Sequence, residues 1–448
     1  MRADLRLAWL LTRGSDRREW WRIGLTALGA AMATGIGLAI VSLASLDGYY
    51  SVSVGSGLLD SDSDRRGVIF ALGLLLIPVL GFLGQCARIG AVHRDRRLAA
   101  LRLAGAAPGQ VRRIAALESG PACLAGSAPA TAAFVPLWSH PTALAWAGFA
   151  LVAAAVPVLG AAVSALSLRR VVASPLGWVR RVRATRGPGR LFKSVTWLLA
   201  ATLLFIVVAP VFSDSFTFGP GPLTLIVLIL LVSFTALWLS GSSSRQLGKG
   251  LAARARRPEV LIAAERLRED PWAAARTHAA VLLVTVVGSG FVGIRQVLLA
   301  DLHAIRREGH LAADMAYYTT GIDLTAAAVL VALALILTSL AVGAAESLAT
   351  RRRGLAAQAA AGVPYGVLAR ALLLETALPL APAVAVAGIG GLVISAWYAS
   401  VSTDYIVAPV PYGMLLVPFA VYVCCLLAVA TSIPLLRRSV RPAELRYA

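Results

Sequence analysis

The chain has 448 residues, 58% of them hydrophobic, with a mean hydropathy of +0.77 and a formal net charge of +20. A soluble domain is about half apolar, so this composition excludes a water-soluble globular protein and calls for a bilayer. The positive charge does not mark a nucleic-acid binder, because it lies between apolar stretches and no recognition element accompanies it.

Stretches long enough to span a bilayer fall at 23–46, 67–88, 114–138, 143–168, 194–212, 220–240, 278–298, 323–346, 371–398 and 412–436. They predict an all-α polytopic membrane protein of about ten transmembrane helices. Segments 1–22, 88–113, 169–193, 241–277, 347–370 and 437–448 hold 37 of the 42 Lys and Arg. The opposite side holds Arg65, Arg66, Arg306 and Arg307, with Arg295 near a membrane edge. Lys and Arg stay cytoplasmic, so both termini are expected in the cytosol of a multi-pass plasma-membrane protein. The basic excess also attracts anionic lipid headgroups. Arginine outnumbers lysine 40 to 2, and with abundant alanine this points to a GC-rich bacterial genome.

In chain order, Leu5 to Arg22 is a basic amphipathic stretch leading into the first span. That span, Ile23 to Leu46, is too long for the roughly 7–15-residue core of a signal peptide. Asp60, Asp62 and Asp64 then imitate the first three ligands of a calcium loop. Arg65 stands where that loop needs Gly, and Ala71 where it needs Glu, so an acidic rim or a solvated loop fits better. Cys86, Cys123, Cys424 and Cys425 lie in spans and read as packing residues, with neither a disulfide framework nor metal spacing. Leu168-Arg169-Arg170 makes a basic exit from the fourth span. The stretches Arg180 to Arg190 and Gly241 to Gly250 read as loops. Gly248-Lys249-Gly250 ends like a phosphate loop, but Ser243 occupies the first Gly position and Gly250 the hydroxyl position. The chain is therefore not expected to bind ATP. Residues 261–267 alternate at helical spacing in a second basic amphipathic helix, expected along the membrane interface, and Asp270-Pro271 breaks it. Gly288, Gly290, Gly293, Gly388, Gly390 and Gly391 lie in spans and permit close helix packing. His303 and His310 have no partner set that points to a metal.

One element is written twice. Arg94 to Glu118 (RDRRLAALRLAGAAPGQVRRIAALE) and Arg351 to Glu375 (RRRGLAAQAAAGVPYGVLARALLLE) superpose at a constant offset of 257 with eleven identities in twenty-five ungapped positions. The matches include Arg96 with Arg353, Leu98 with Leu355, Gly105 with Gly362, Arg113 with Arg370 and Glu118 with Glu375. Each copy reads as a short helix ended by a glycine, a turn containing Pro108 or Pro364, and a helix running into the membrane. Two matched copies favour a docking element over a plain positive-inside turn. Six spans separate the copies, so they share one orientation, and the repeat is parallel rather than inverted. The layout is four spans, two spans, four spans: a first unit at 1–168, a two-helix connector at 169–258 and a second unit at 259–448. Glu118 and Glu375 lie about one turn inside their spans, where a carboxylate is costly unless paired. Arg113 and Arg370, five residues earlier, are near neighbours without ideal helical spacing. A hinge linking docking helix to span and a carboxylate solvated at the interface both remain open.

With the repeat in view, the chain resembles the FtsX-like permeases of the MacB and LolC type. The carrying residues are Arg94, Arg96, Arg97, Arg102, Gly105, Gly109, Arg113 and Glu118 with their copies at 351–375, together with Pro258 to Pro271 and Arg438 to Arg446. The resemblance covers both four-span units and not the connector. It implies the membrane subunit of a type VII ABC transporter, with no catalytic or metal site of its own. ATP and Mg would be bound by a separate cytosolic ABC ATPase, two copies per chain. Docking would fall on Arg96, Arg97, Leu98, Leu101, Gly105, Arg353, Leu355 and Gly362, and coupling on Arg113, Glu118, Arg370 and Glu375. Gln358 and Ala359 replace Leu101 and Arg102 in the second copy, which weakens its match. Relatives that remove antimicrobial peptides carry a large outer domain before the eighth span, where this chain has only 299–322. A hydrophobic or amphipathic ligand (antibiotic, peptide or lipid) taken from the membrane therefore fits better than captured peptide. A secondary carrier or channel-like protein is the alternative, but intramembrane ionisable residues are few and lie near span ends, without a relay.

Overall fold

The computed structural model describes residues 17–46, 48–49, 55–86, 100, 103–137, 143–167, 189–212, 221–402 and 412–439. Among them are thirteen α-helices and no strand. They are α1 (Arg17–Ala44), α2 (Asp62–Cys86), α3 (Pro108–Phe134), α4 (Ala143–Ser167), α5 (Arg190–Phe212), α6 (Gly221–Arg254) and α7 (Pro258–Glu269). There follow α8 (Pro271–Arg307), α9 (Met315–Thr350), α10 (Arg352–Ala360), α11 (Tyr365–Ser402), α12 (Leu416–Ala430) and α13 (Ile433–Ser439). In the described residues eight stretches are long and apolar enough to cross a membrane: α1, α2, α4, α6, α8, α9, α11 and Tyr412–Arg437. The chain is an all-α multi-pass membrane protein. The other two predicted spans fall on α3 and α5, which are helical but not among these eight. In α3 the apolar character is diluted by Arg112, Arg113, Glu118 and several Ser and Gly.

Two expected loops are helix instead. Gly241 to Gly250 continues α6, because Ser242, Ser243 and Ser244 donate their hydroxyls back to the Leu239 and Ser240 carbonyls rather than leading the backbone away. The 299–322 connection narrows to 308–314, since α8 runs on to Arg307 and α9 starts at Met315.

The chain divides into two compact units, 1–181 with 319–328, and 182–318 with 329–448. In the first, α1 packs on α2, α3 and α4, and α3 on α4. Gly126 of α3 lies against the backbone of Ala27, an approach that any side chain there would block. Phe134 and Trp146 set their rings edge-on to Phe149, which is buried beside Leu38.

In the second unit α6, α8 and α11 pack on one another, α12 lies against α8 and α11, and α5 lies against α6. Of the expected connector at 169–258, the described helices α5 and α6 lie in this second unit. Its helix α6 contributes Leu228 and Ala236 to the same core as Val281, Leu282, Leu380 and Val421. Glycine makes this possible. Gly390 of α11 receives Val232 of α6, Gly293 of α8 receives Ser395 of α11, and Gly241 of α6 receives the Trp272 ring. In lipid, such close contacts supply the dispersion energy that the hydrophobic effect does not.

Candidate functional site

The second copy of the repeat lies at the arginine-rich end of the second unit, where α7, α10, α11 and α13 meet. Helix α7 starts with Pro258 at its first turn, where the missing N–H costs nothing. Its Ala263, Ala264 and Leu267 are buried, and it packs against α6 and α11. The apolar face expected along the membrane interface is therefore spent on protein. Asp270 alone separates α7 from α8.

Helix α10 is the short helix of the second repeat copy. Leu355 and Ala356 are buried at 3% and 1% exposure, while Arg353, Gly354, Ala357, Ala360 and Ala361 form its outward side. Gly362 ends it at φ +87°, with the Val363 N–H bonded to the Gln358 carbonyl and the Gly362 N–H to the Ala359 carbonyl. This double bond satisfies carbonyls that a helix end otherwise leaves free. Tyr365, two residues after Pro364's predecessor in the turn, donates its hydroxyl to the Ile433 carbonyl at 2.9 Å. The Arg437 guanidinium lies 5.3 Å from the centre of the same ring, a cation–π contact that ties α13 to the start of α11.

Glu375 is the centre of the charge pattern. Its carboxylate accepts from Arg266 of α7 at 3.0 Å and from Arg351, at the junction of α9 and α10, at 2.8 and 3.1 Å. Glu375 and Arg266 are each 21% exposed and Arg351 40%. One carboxylate thus joins three helices that are far apart in sequence. Charge-assisted bonds in a half-buried place are stronger than surface ion pairs. Below the clasp lies a small apolar cavity lined by Ile262, Leu348, Leu355, Leu368, Leu372 and Leu436.

The structure sorts the predicted residues as follows. Glu375 is paired, with Arg266 and Arg351 rather than with Arg370. Arg370 is 74% exposed and stands 4.0 Å from Glu259, because five residues along a helix point it away from Glu375. Leu355 is not an exposed docking contact but a core residue, since its side of α10 faces Leu368 and Leu436. Arg353 is exposed, and Gly362 forms the exposed turn. In the first copy Gly105 has φ +98° and Arg113 is exposed. Arg96, Arg97, Leu98 and Leu101 lie outside the described residues, as does the side chain of Glu118 on α3.

Where both copies are described, their local geometry agrees. The Ala104 N–H bonds the Ala100 carbonyl, as Ala361 does Ala357; Gln110 and Val111 bond Ala107, as Val367 and Leu368 bond Pro364. Val111 and Ile114 are buried, as are Leu368 and Ala371. The copies differ at Leu103, 63% exposed, where the second has Ala360. Sequence reasoning missed Arg266 and Tyr365. Arg351 was visible as the match of Arg94, but its spacing from Glu375 carries no helical periodicity. Of the acidic trio, Asp62 holds Arg66 at 2.6 Å and Asp64 accepts from Ser61 at 2.7 Å. Among the described residues no group of three His, Cys, Asp or Glu is placed to hold a metal ion.

Comparison with protein-family models, with curated proteins and with solved structures gives no match.

Proposed function

We propose that the chain is the transmembrane permease subunit of an ABC transporter, built as a parallel 4+2+4 repeat with both termini in the cytosol of a bacterium. A separate cytosolic ABC ATPase binds ATP and Mg, and its closure drives extraction or export of a hydrophobic or amphipathic ligand at the outer face. The observation that supports this most is the Glu375 clasp. A short helix with a smooth outward side of Arg353, Ala357, Ala360 and Ala361 is tied through one carboxylate to α7 and α11. A partner pressing on α10 therefore acts on α11, and α11 packs along α8 through glycine. Docking rests on this outward side and on its counterpart in the first copy, to which the exposed Leu103 belongs, and the core residue Leu355 supports it from behind. Two docking elements on one chain give one permease with two ATPase subunits.

The test is purification of the full chain from its native membranes in mild detergent, with any co-purifying ABC ATPase identified by its sequence. The expected result is a stable complex, of two ATPases to one permease by mass, whose ATP hydrolysis depends on the chain. A chain that purifies alone and moves its ligand in vesicles without any ATPase would make it a secondary carrier.

A further inference from the structure

The largest fully buried side chain among the described residues belongs to Arg65, at 1% exposure, beside the loop that joins α1 to α2. Its Nη1 donates to the carbonyls of Leu59 at 3.2 Å and Asp60 at 3.1 Å, and its Nη2 to those of Leu46 at 3.2 Å and Gly48 at 2.6 Å. The Asp62 carboxylate stands 3.7 Å away. Burying a charge costs several kcal/mol unless it is met by hydrogen bonds or a counter-charge. Here backbone carbonyls supply most of that compensation. Two of them, Leu46 and Gly48, follow directly on the last turn of α1, the end of a helix where negative partial charge gathers and a cation is favoured. The other two precede α2. The guanidinium therefore sits where the residues just after α1 and just before α2 both present carbonyl oxygen.

We propose that the carbonyls of Leu46, Gly48, Leu59 and Asp60 form a cation cage and that Arg65 is its tethered cation, the residue that positions the junction of α1 and α2. A calcium loop turns its Asp-x-Asp-x-Asp carboxylates inward onto the ion. In this chain the cation is a covalent guanidinium met mainly by backbone carbonyls, while the carboxylates of Asp62 and Asp64 bond Arg66 and Ser61. A planar guanidinium with five donors in a fork spans four carbonyls, whereas a lysine ammonium has three donors on one point. The cage thus has a ligand class of its own once the side chain is removed: a small planar cation from solution. This inference is independent of any ATPase.

The test compares the full-length chain with Arg65→Ala and Arg65→Lys in lipid nanodiscs, by hydrogen exchange of the Leu58, Asp60 and Arg65 backbone amides. In Arg65→Ala the Leu58 and Asp60 amides are expected to exchange at least about tenfold faster, and Arg65→Lys is expected to fall between. Guanidinium chloride at a low, non-denaturing concentration restores protection in Arg65→Ala, while the same ionic strength of potassium chloride does not. Calcium protecting Arg65→Ala but not the native chain supports the cage equally. Unchanged exchange in Arg65→Ala, guanidinium acting no better than potassium, or calcium protecting the native loop overturns the proposal. Should Arg65→Ala fail to insert, Arg65→Lys decides alone: native-like protection, unaltered by guanidinium, overturns it, and faster exchange supports it.

Discussion

Arg351 donates to both carboxylate oxygens of Glu375, at 2.8 and 3.1 Å, across a gap of 24 residues that runs through the whole repeated element. The bond closes α10 and its turn into a loop whose ends are fastened to each other, and Arg266 fastens the same carboxylate to α7. Glu375→Ala leaves two half-buried guanidiniums without their shared acceptor and is expected to destabilise the second unit by about 1–3 kcal/mol. Thermal unfolding in detergent measures it. Arg266→Ala and Arg351→Ala should each cost less, and together differ from their sum by more than about 0.5 kcal/mol, because they share one partner.

Gly105 and Gly362 sit at φ +98° and +87°, a region costly for any residue with a Cβ. Nothing crowds either position, so strain alone decides the effect. Replacement by Ala is expected to cost about 1 kcal/mol at each, and replacement by Asn less, since Asn tolerates this conformation. Equal costs in the two copies, read from unfolding midpoints, mark one motif used twice.

On α10 the two sides of the helix separate two effects. Leu355→Asp places a carboxylate in the core beside Leu368 and Leu436 and is expected to unfold the second unit. Ala357→Glu or Ala360→Glu alters only the outward side, leaves the thermal midpoint within about 0.5 kcal/mol of native, and is expected to abolish ATPase stimulation. Size-exclusion profile and ATP turnover, taken on the same samples, distinguish the two.

The glycine contacts make a graded prediction. A Cβ at Gly390 runs into Val232 of α6, whereas one at Gly288 finds its nearest atoms at 3.5 and 3.7 Å, ordinary contact. Gly390→Ala is expected to lose about 1–3 kcal/mol through overpacking and Gly288→Ala to be neutral. Chemical denaturation of the purified protein checks the order.

Arginine placement predicts the topology. A single cysteine at His310 should react with a membrane-impermeant thiol reagent added outside intact cells, and one at Ala360 only after permeabilisation. Both positions are exposed, while the native Cys86, Cys123 and Cys425 are buried.

The helical, membrane-spanning character was legible because apolar runs of bilayer length have few other uses. The duplicated element was legible because its identities stand in one register. What escaped has particular reasons. Leu355 is the one large apolar residue in a helix otherwise of Arg, Gly, Ala and Gln, too few to show by periodicity which side is inward. The partner of Glu375 is 109 positions away in Arg266, and no local spacing encodes such a distance. The helical run from Gly241 to Gly250 was hidden by Gly and Ser, which mark turns in water but sustain a helix when their hydroxyls bond back to it. Arg65 was noticed as an outer-side charge and as the wrong residue for calcium, not as a buried cation, since its partners are backbone carbonyls, which every sequence has.

Asp270 is the whole of the joint between α7 and α8, with the Asp270 N–H bonded to the Arg266 carbonyl and the Ala273 N–H to the Asp270 carbonyl. A single residue brings only two soft dihedrals, and both of these are held by the helices on either side. Helix α7 works as a crank welded to the shaft of α8. A twist imposed on α7, through Glu375 or through its own buried side, is therefore expected to pass into the 37-residue α8 as rotation, with little slack at the joint.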